Sequence, residues 1–158
     1  MDVLLDTNLL VRCIQPSHSL HTIASHATNE LAARGDRLCI VPQIVYEYFV
    51  VCTRPPSEYG GLGMTNEHAV AEIVRLVALC ELLPDLPAIY PEWVSLIDQN
   101  KIVGKRAHDA RIVAAMSIYG IRAIATFNGK DFTRYPNLQI ISPDDLAAEF
   151  AARTAQTP

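Results

Sequence analysis

The sequence lacks several features that would place a protein in a broad class at once. Its 158 residues contain no stretch of about 18 apolar residues that could span a membrane. The four cysteines are far apart and form no CxxC pair, so neither a disulfide framework nor a zinc site is indicated. The amino terminus, with Asp2 and Asp6 beside a brief apolar run, is unlike a signal peptide. These absences predict a cytoplasmic protein with reduced thiols and no membrane association.

An excess of positive charge is also missing. Lysine and arginine total 13 against 17 aspartates and glutamates, which gives a net charge of −4. The whole molecule therefore does not attract nucleic acid, and an RNA substrate would need local basic groups or a metal ion. Hydrophobic residues, in contrast, make up 50% of the chain, enough for one well-buried core. We expect a single domain over residues 1–150, followed by a frayed tail over residues 151–158.

Short apolar runs alternate with helical patterns along the chain. The runs that predict buried strands cover residues 3–5, 38–41, 123–126 and 138–141. The patterns that predict helices cover residues 18–34, 42–53, 65–82, 91–103 and 109–119, with a last helix from Pro143. Three glycines within residues 57–64 favour a mobile loop. Parallel strands need crossover connections, so this alternation predicts an α/β fold with a central, mainly parallel sheet flanked by helices on both faces.

Polar and acidic residues follow two of the predicted strands. Asp6 comes directly after the first strand, and a turn containing Asn128 and Asp131 follows a later one. Ligands of parallel sheets collect at the carboxyl ends of the strands, so these side chains are expected to converge if both strands are central. The alternative for the sequence Asp6-Thr7-Asn8 is helix capping, which short polar side chains also perform. The motif alone does not decide between the two interpretations.

Two more carboxylates border apolar helix faces. Asp109 stands three and four residues before Ile112 and Val113, at the head of an apolar stripe. Its alternative role is that of a first-turn acid stabilised by the helix dipole. Glu47 lies at the edge of the apolar face of the helix predicted from Pro42, and its alternative is an ordinary solvated side chain. A buried carboxylate needs hydrogen bonds, a cation or a raised pKa.

Carboxylates that converge repel one another unless a divalent cation neutralises them. Oxygen ligands without histidine or cysteine favour Mg²⁺, with Mn²⁺ as a second possibility, over zinc. Such an ion suits the hydrolysis of phosphodiester bonds, because it activates water and stabilises charge on the reacting oxygens.

Taken together, these residues resemble the PIN-domain family over residues 2–141. The segments that carry the resemblance are Leu5-Asp6-Thr7-Asn8, Glu47, Asp109-Ala110-Arg111-Ile112-Val113-Ala114 and Thr126-Phe127-Asn128-Gly129-Lys130-Asp131-Phe132. The length and single-domain form also look like the VapC toxins of type II toxin-antitoxin pairs. The resemblance implies a metal-dependent endoribonuclease that acts as a toxin, a small antitoxin partner whose carboxyl-terminal segment blocks the cleft, and a homodimer.

The resemblance also implies roles for individual residues. Asp6, Glu47 and Asp109 would form the catalytic core that binds one metal ion firmly, and either Asn128 or Asp131 would fill a fourth catalytic position. The residues expected to support the core are Thr7, Asn8 and Thr126.

Basic residues cluster in sequence around Asp109. Lys105, Arg106 and Arg111 could guide RNA phosphates toward a metal site, or they could simply be solvated surface charges. His108 has the same two interpretations, as an acid or base and as a surface group. Nothing in the sequence fixes the direction of Arg12 or Arg54.

Two other functions compete with a nuclease. A phosphotransfer enzyme or receiver domain also places an aspartate after a parallel strand, but it would normally have a second acid where Asn8 stands. A noncatalytic PIN-like scaffold that binds RNA or protein is the stronger alternative. The undecided fourth position, Asn128 or Asp131, keeps that alternative open, although Asp6, Glu47 and Asp109 weigh against it.

Overall fold

The computed structural model describes residues 1–155 and shows a five-stranded sheet surrounded by helices. The strands are β1 (Asp2–Leu5), β2 (Arg37–Ile40), β3 (Glu81–Leu82), β4 (Ala123–Ala125) and β5 (Gln139–Ile141). The helices are α1 (Thr7–Cys13), α2 (His21–Ala33), α3 (Pro42–Thr53), α4 (Asn66–Leu79), α5 (Ile89–Gln99), α6 (Arg106–Tyr119) and α7 (Pro143–Ala155). Every pair of neighbouring strands is parallel. The predicted α/β class is confirmed.

The central strands are covered on both faces. Val3, Leu4 and Leu5 are each at most 1% exposed, although successive side chains of a strand point to opposite faces of the sheet. Ile40, Ile124 and the α6 residue Met116 belong to the same core. This explains why the strands appear in the sequence as continuous apolar runs rather than as alternating patterns.

The order of the strands creates a crevice at one edge of the sheet. The spatial order is β3-β2-β1-β4-β5, so the chain builds outward from β1 to β3 and then returns to place β4 on the other side of β1. Asp6 follows β1, and its N–H donates to the carbonyl of Ala125 in β4 at 3.1 Å. Thr126 follows β4. The two strand ends at this switch point therefore carry Asp6 and Thr126 side by side.

Several element boundaries differ from those expected from the sequence. The sequence left open whether Asp6-Thr7-Asn8 forms a turn or begins a helix, and Thr7–Cys13 form the seven-residue helix α1. The edge strand β3 was not predicted, because it has only two residues and both are exposed. Helix α5 covers 89–99 rather than 91–103, with Pro91 in its first turn, where a missing N–H breaks no helical hydrogen bond. Helix α6 begins at Arg106, so Asp109 lies within its first turn.

The loop over residues 57–64 folds back onto the end of α3. The N–H of Leu62 donates to the Val51 carbonyl at 2.9 Å, and that of Met64 to the Cys52 carbonyl at 2.8 Å. The loop that was expected to be mobile is thus tied to α3 through its backbone.

Helix α7 packs along α2 and extends through Ala155. The buried carboxylate of Glu30 in α2 accepts hydrogen bonds from Arg34 at 3.2 Å and from Arg153 of α7 at 3.0 Å. Helix α7 thus continues past residue 150, and residues 156–158 of the expected tail lie outside the described chain. Fraying of that tail stays a prediction.

The four cysteines are free; three are buried and Cys13 is half-buried. No helix within residues 1–155 is both long enough and apolar enough to cross a membrane.

Candidate active site

Asp6 is the most deeply buried acid of the crevice between β1 and β4. Asp6 is only 8% exposed. Its Oδ2 atom accepts hydrogen bonds from the Thr126 hydroxyl and from the side-chain amide of Asn8, each at 2.6 Å. Although Asp6 directly precedes α1, its side chain makes no capping hydrogen bond to that helix. Helix capping therefore does not account for this carboxylate.

Asn8 and Thr126 join the two strand ends around Asp6. The Asn8 amide nitrogen also donates to the Thr126 hydroxyl oxygen at 3.0 Å, and its oxygen accepts the Phe127 N–H at 3.0 Å. The Thr126 oxygen accepts in addition the N–H of Asn128 at 2.9 Å. This network fixes the orientation of Asp6 with neutral groups only.

Glu47 reaches the same crevice from α3. Its Oε2 accepts the hydroxyl of Thr7 at 3.0 Å, and its Oε1 accepts Nε2 of Gln43, one helical turn earlier, at 2.8 Å. Gln43 is buried and also donates to the backbone carbonyl of His108 at 3.1 Å, which ties α3 to α6. The sequence reasoning missed Gln43. The four-residue spacing from Glu47 is the signal that would have found it.

Asp109 approaches from the first turn of α6, where it is half-buried. Burial raises the pKa of its carboxyl group above 3.8, and the negative charges of Asp131 and Glu47 raise it further, while His108 and Arg134 oppose the shift. Burial likewise raises the pKa of Asp6 to about 6. Hydrogen bonds from the Thr126 hydroxyl and from the backbone N–H of Thr7 oppose that rise, and the charges of Glu47 and Asp109 add to it. The four carboxylates thus act on one another electrostatically.

These side chains line one open cleft of about 260 Å³. The polar and charged side chains that line the cleft, with tyrosine counted among them, are those of Asp6, Thr7, Asn8, Arg12, Glu47, Tyr59, Asp109, Asn128 and Asp131. All five predicted catalytic residues are therefore brought together, and Thr126 lies directly behind Asp6. The sequence left the direction of Arg12 undetermined and gave no indication of Tyr59.

A family model described as PIN domain matches residues 3–138 of the chain. The chain belongs to the PIN domain family. No curated protein matches the sequence.

Solved structures share this fold at low sequence identity. A VapBC2 structure from Rickettsia felis, bound to a DNA fragment from its promoter, has a chain with a TM-score of 0.65 and 18% identity, over 90% of this chain and 98% of that one. VapC20 from Mycobacterium tuberculosis, a toxin that cleaves the sarcin-ricin loop, has a TM-score of 0.60 and 17% identity, over 84% of this chain and 95% of that one. A toxin-antitoxin complex from Klebsiella pneumoniae has a chain with a TM-score of 0.61 and 20% identity, over 89% of this chain and 97% of that one.

The basic residues near Asp109 in the sequence lie outside the acidic cleft. Arg111 of this PIN domain pairs with Asp85 at 2.8 Å and lines a separate hollow with Tyr90 and Trp93. Lys105 and Arg106 are exposed at the start of α6 and do not line the acidic cleft. Arg12 is the basic residue that does line it, within the part of the chain described here. RNA contacts by Lys105, Arg106 and Arg111 stay predictions.

The donor set of the PIN domain fits a divalent cation of the Mg²⁺ type. The cleft offers carboxylate oxygens as ligands. The pKa values of Asp6 and Asp109 are raised by burial and by neighbouring negative charge, and a bound cation would offset that negative charge. Among residues 1–155, no group of three or more His, Cys, Asp or Glu side chains is arranged so that it could hold a metal ion by itself. Water and substrate phosphate would have to complete the coordination shell, as they commonly do for Mg²⁺.

Proposed function

We propose that this PIN domain is a metal-dependent endoribonuclease that acts as the toxin of a VapBC-type toxin-antitoxin pair. One observation carries the proposal. Asp6 after β1, Glu47 of α3 and Asp109 of α6 converge with Asp131 on a single cleft, where Asp6 is held by neutral donors and its charged neighbours are other acids. A cluster that served only the fold would normally pair its buried acids with arginine or lysine.

Asp6, Glu47 and Asp109 would hold the divalent ion, with Mg²⁺ the expected metal and Mn²⁺ a possible substitute. When bound, the ion supplies a more acidic water and neutralises charge on the phosphate oxygens. The surrounding residues orient the carboxylates: Asn8 and Thr126 act on Asp6, whereas Thr7 and Gln43 act on Glu47.

Asp131 is the better candidate for the fourth acidic position. Of the neighbouring charges, Asp131 contributes most to the raised pKa of Asp109. The backbone of Asn128 is engaged by Thr126, and its exposed amide carries no charge, so it would orient water or RNA. We propose one firmly bound ion, with Asp131 as the group on which any second ion would depend.

The partner of the proposed toxin would be a small antitoxin, the class of partner named for the toxin-antitoxin complex from Klebsiella pneumoniae that contains this fold. We expect the carboxyl-terminal segment of the antitoxin to cover the acidic cleft. We also expect the toxin to form a homodimer. Its four free cysteines suit a reducing compartment, so we place its activity in the cytoplasm.

Cleavage of a mixed cellular RNA pool tests the proposal. The purified protein is incubated with Mg²⁺, Mn²⁺ or EDTA, and new RNA ends are mapped for the wild type and Asp6→Asn. Asp98→Asn is the matched control, because Asp98 is exposed and pairs only with Lys101 among the described ion pairs. We expect discrete cuts by the wild type and the control that require metal, and none by Asp6→Asn. A folded, metal-binding wild type that makes no cuts would favour the noncatalytic scaffold instead.

A further inference from the structure

The loop over residues 57–64 carries an exposed aromatic ring to the rim of the acidic cleft. Tyr59 is 96% exposed, yet it lines the same cleft as Asp6 and Asp109. A ring that is exposed to this extent contributes almost nothing to the hydrophobic core. Tyr59 is therefore available for contact with a ligand that enters the cleft.

The backbone holds Tyr59 in an unfavourable conformation. Its φ angle is +39°, in the left-handed region that residues with side chains rarely adopt. Conformations of this kind cost on the order of 1–3 kcal/mol and are concentrated at ligand-binding and catalytic sites. The surrounding chain must therefore impose this geometry on Tyr59.

Hydrogen bonds of the loop backbone and a close approach between Gly61 and Arg54 hold Tyr59 in this conformation. The N–H of Glu58 donates to the Pro55 carbonyl at 2.9 Å, and the N–H of Gly61 donates to the Glu58 carbonyl at 3.0 Å. Gly61 lies so close to the carbonyl oxygen of Arg54 that a Cβ atom would be 2.2 Å from it. Tyr59 is thus displayed from a closed turn fixed to α3, not from a loose segment.

We propose that Tyr59 stacks on an unpaired base of RNA bound in the cleft. The proposal rests on the nuclease function proposed above. Aromatic side chains recognise splayed bases by stacking, whereas the bases of a duplex are stacked on one another and are not offered to the protein. Arg12 from α1 lines the same cleft and supplies a positive charge for a neighbouring phosphate.

Binding of a fluorescent oligonucleotide separates stacking from other roles. The probe is a single-stranded RNA of mixed sequence that contains 2-aminopurine, and the protein carries Asp6→Asn so that the RNA stays intact. In this background Tyr59→Phe and Tyr59→Trp should bind as the parent does and quench the probe. Tyr59→Leu and Tyr59→Ala should bind about five- to 150-fold more weakly, the range that corresponds to the loss of one stacked base, and should quench it less.

The controls distinguish the ring from its surroundings. Tyr90→Leu removes another exposed tyrosine, which lies near Trp93 outside the cleft, and should leave binding unchanged. A duplex of the same sequence should bind weakly to every variant. With Asp6 restored, Tyr59→Leu should raise KM for single-stranded RNA and leave kcat nearly unchanged. Circular dichroism melting checks that each variant is folded.

Different failures point to different claims. Suppose that the wild type cuts RNA, that Tyr59→Ala binds RNA as well as the Asp6→Asn parent, and that with Asp6 restored it cuts as well as the wild type. Stacking is then refuted and the nuclease assignment stands. Equal binding by Tyr59→Leu and Tyr59→Phe would also refute stacking, because leucine covers a base without an aromatic face. If the wild type does not cut RNA and the Asp6→Asn parent does not bind it, the proposed function fails and the inference about Tyr59 fails with it.

Discussion

The Asp6 carboxylate is held by the hydroxyl of Thr126 and the amide of Asn8, while the charged groups that act on it are Glu47 and Asp109. Without a cation, the ionised form of Asp6 is therefore unfavourable in the folded chain. Its pKa is raised from 3.8 to about 6, mainly by burial. When the pKa of a group is higher in the folded than in the unfolded state, the folded state loses stability as the pH rises from the unfolded-state pKa to the folded-state pKa.

We predict that Asp6→Asn stabilises the metal-free protein at pH 8. The asparagine keeps the shape of the side chain and removes a charge that costs on the order of 2–3 kcal/mol in the fold. Melting in EDTA should therefore occur at a higher temperature for the variant than for the wild type. The difference should shrink as the pH falls through about 6 and vanish below about 4, where Asp6 is protonated in both states. A wild type more stable than the variant at pH 8 in EDTA would contradict this account.

Gln43 gives a second prediction, because it connects Glu47 to the backbone of His108. Gln43→Leu should weaken Mn²⁺ binding or cleavage about 10–100-fold, the usual cost of losing a group that orients a metal ligand. Calorimetric titration with Mn²⁺ and initial cleavage rates measure the two effects. Gln99→Leu is the matched control, since Gln99 donates only to Ser95 among the described hydrogen bonds and is exposed. Equal losses in both variants would mean that Gln43 has no specific role.

The sequence predicted the acids of the cleft better than their neighbours. Asp6, Glu47 and Asp109 follow a strand or border an apolar helix face, and both features are local. Gln43 contacts a carbonyl 65 residues away, so its role depends on how α3 and α6 pack. Arg12 and Tyr59 are surface residues whose directions are set by a short helix and a closed turn, for which the sequence has no periodic signal.

Among the elements, α2 and α7 form a pair that stands apart from the site. Glu30 of α2 pairs with two arginines, Arg34, which directly follows α2, and Arg153 of α7. Burial works to raise the pKa of Glu30, but hydrogen bonds and charge from these arginines lower it overall. Neither helix supplies a residue that lines the acidic cleft, within the described chain.

We predict that Glu30→Gln lowers the melting temperature at pH 7 and leaves cleavage at 20 °C unchanged. The substitution removes the negative charge of a buried carboxylate that accepts hydrogen bonds from both arginines, so these two charge-assisted hydrogen bonds become weaker. Asp98→Asn, which alters an exposed pair, should shift the melting temperature much less. The gap between Glu30→Gln and wild type should close as the pH falls below the lowered pKa of Glu30. A loss of cleavage without a loss of stability would show that this helix pair acts on the site after all.

Element boundaries were predictable where the pattern was long. Helices α2, α3, α4 and α6 have apolar periodicity and clear stops such as Gly120, which takes the left-handed conformation after α6 with φ +70°. Helix α1 has seven residues and β3 has two, so neither is long enough to establish a period. The loop over residues 57–64 contains glycines for a close approach to α3, a tertiary contact that composition alone does not distinguish from mobility.

At the scale of the whole molecule, the strand order decides where the chemistry lies. The alternation of strands and helices predicted the parallel sheet, and the rule for parallel sheets located the site at the carboxyl ends of the strands. The sequence did not reveal that β4 returns beside β1, because that placement depends on the tertiary packing of the segment between β3 and β4. Once β1 and β4 are neighbours, Asp6 and the turn from Thr126 to Asp131 must meet.

The most direct test of the central claim is the return of RNA cleavage when Mg²⁺ is added back after treatment with EDTA. Single-stranded RNA is the substrate, and wild type is compared with Asp109→Ala. That variant should keep its fold, because Asp109 contributes charge to the cleft rather than volume to the core. We predict a saturable return of cleavage for the wild type and none for the folded variant. Cleavage by the wild type in EDTA, or an equal return for folded Asp109→Ala, would contradict the account.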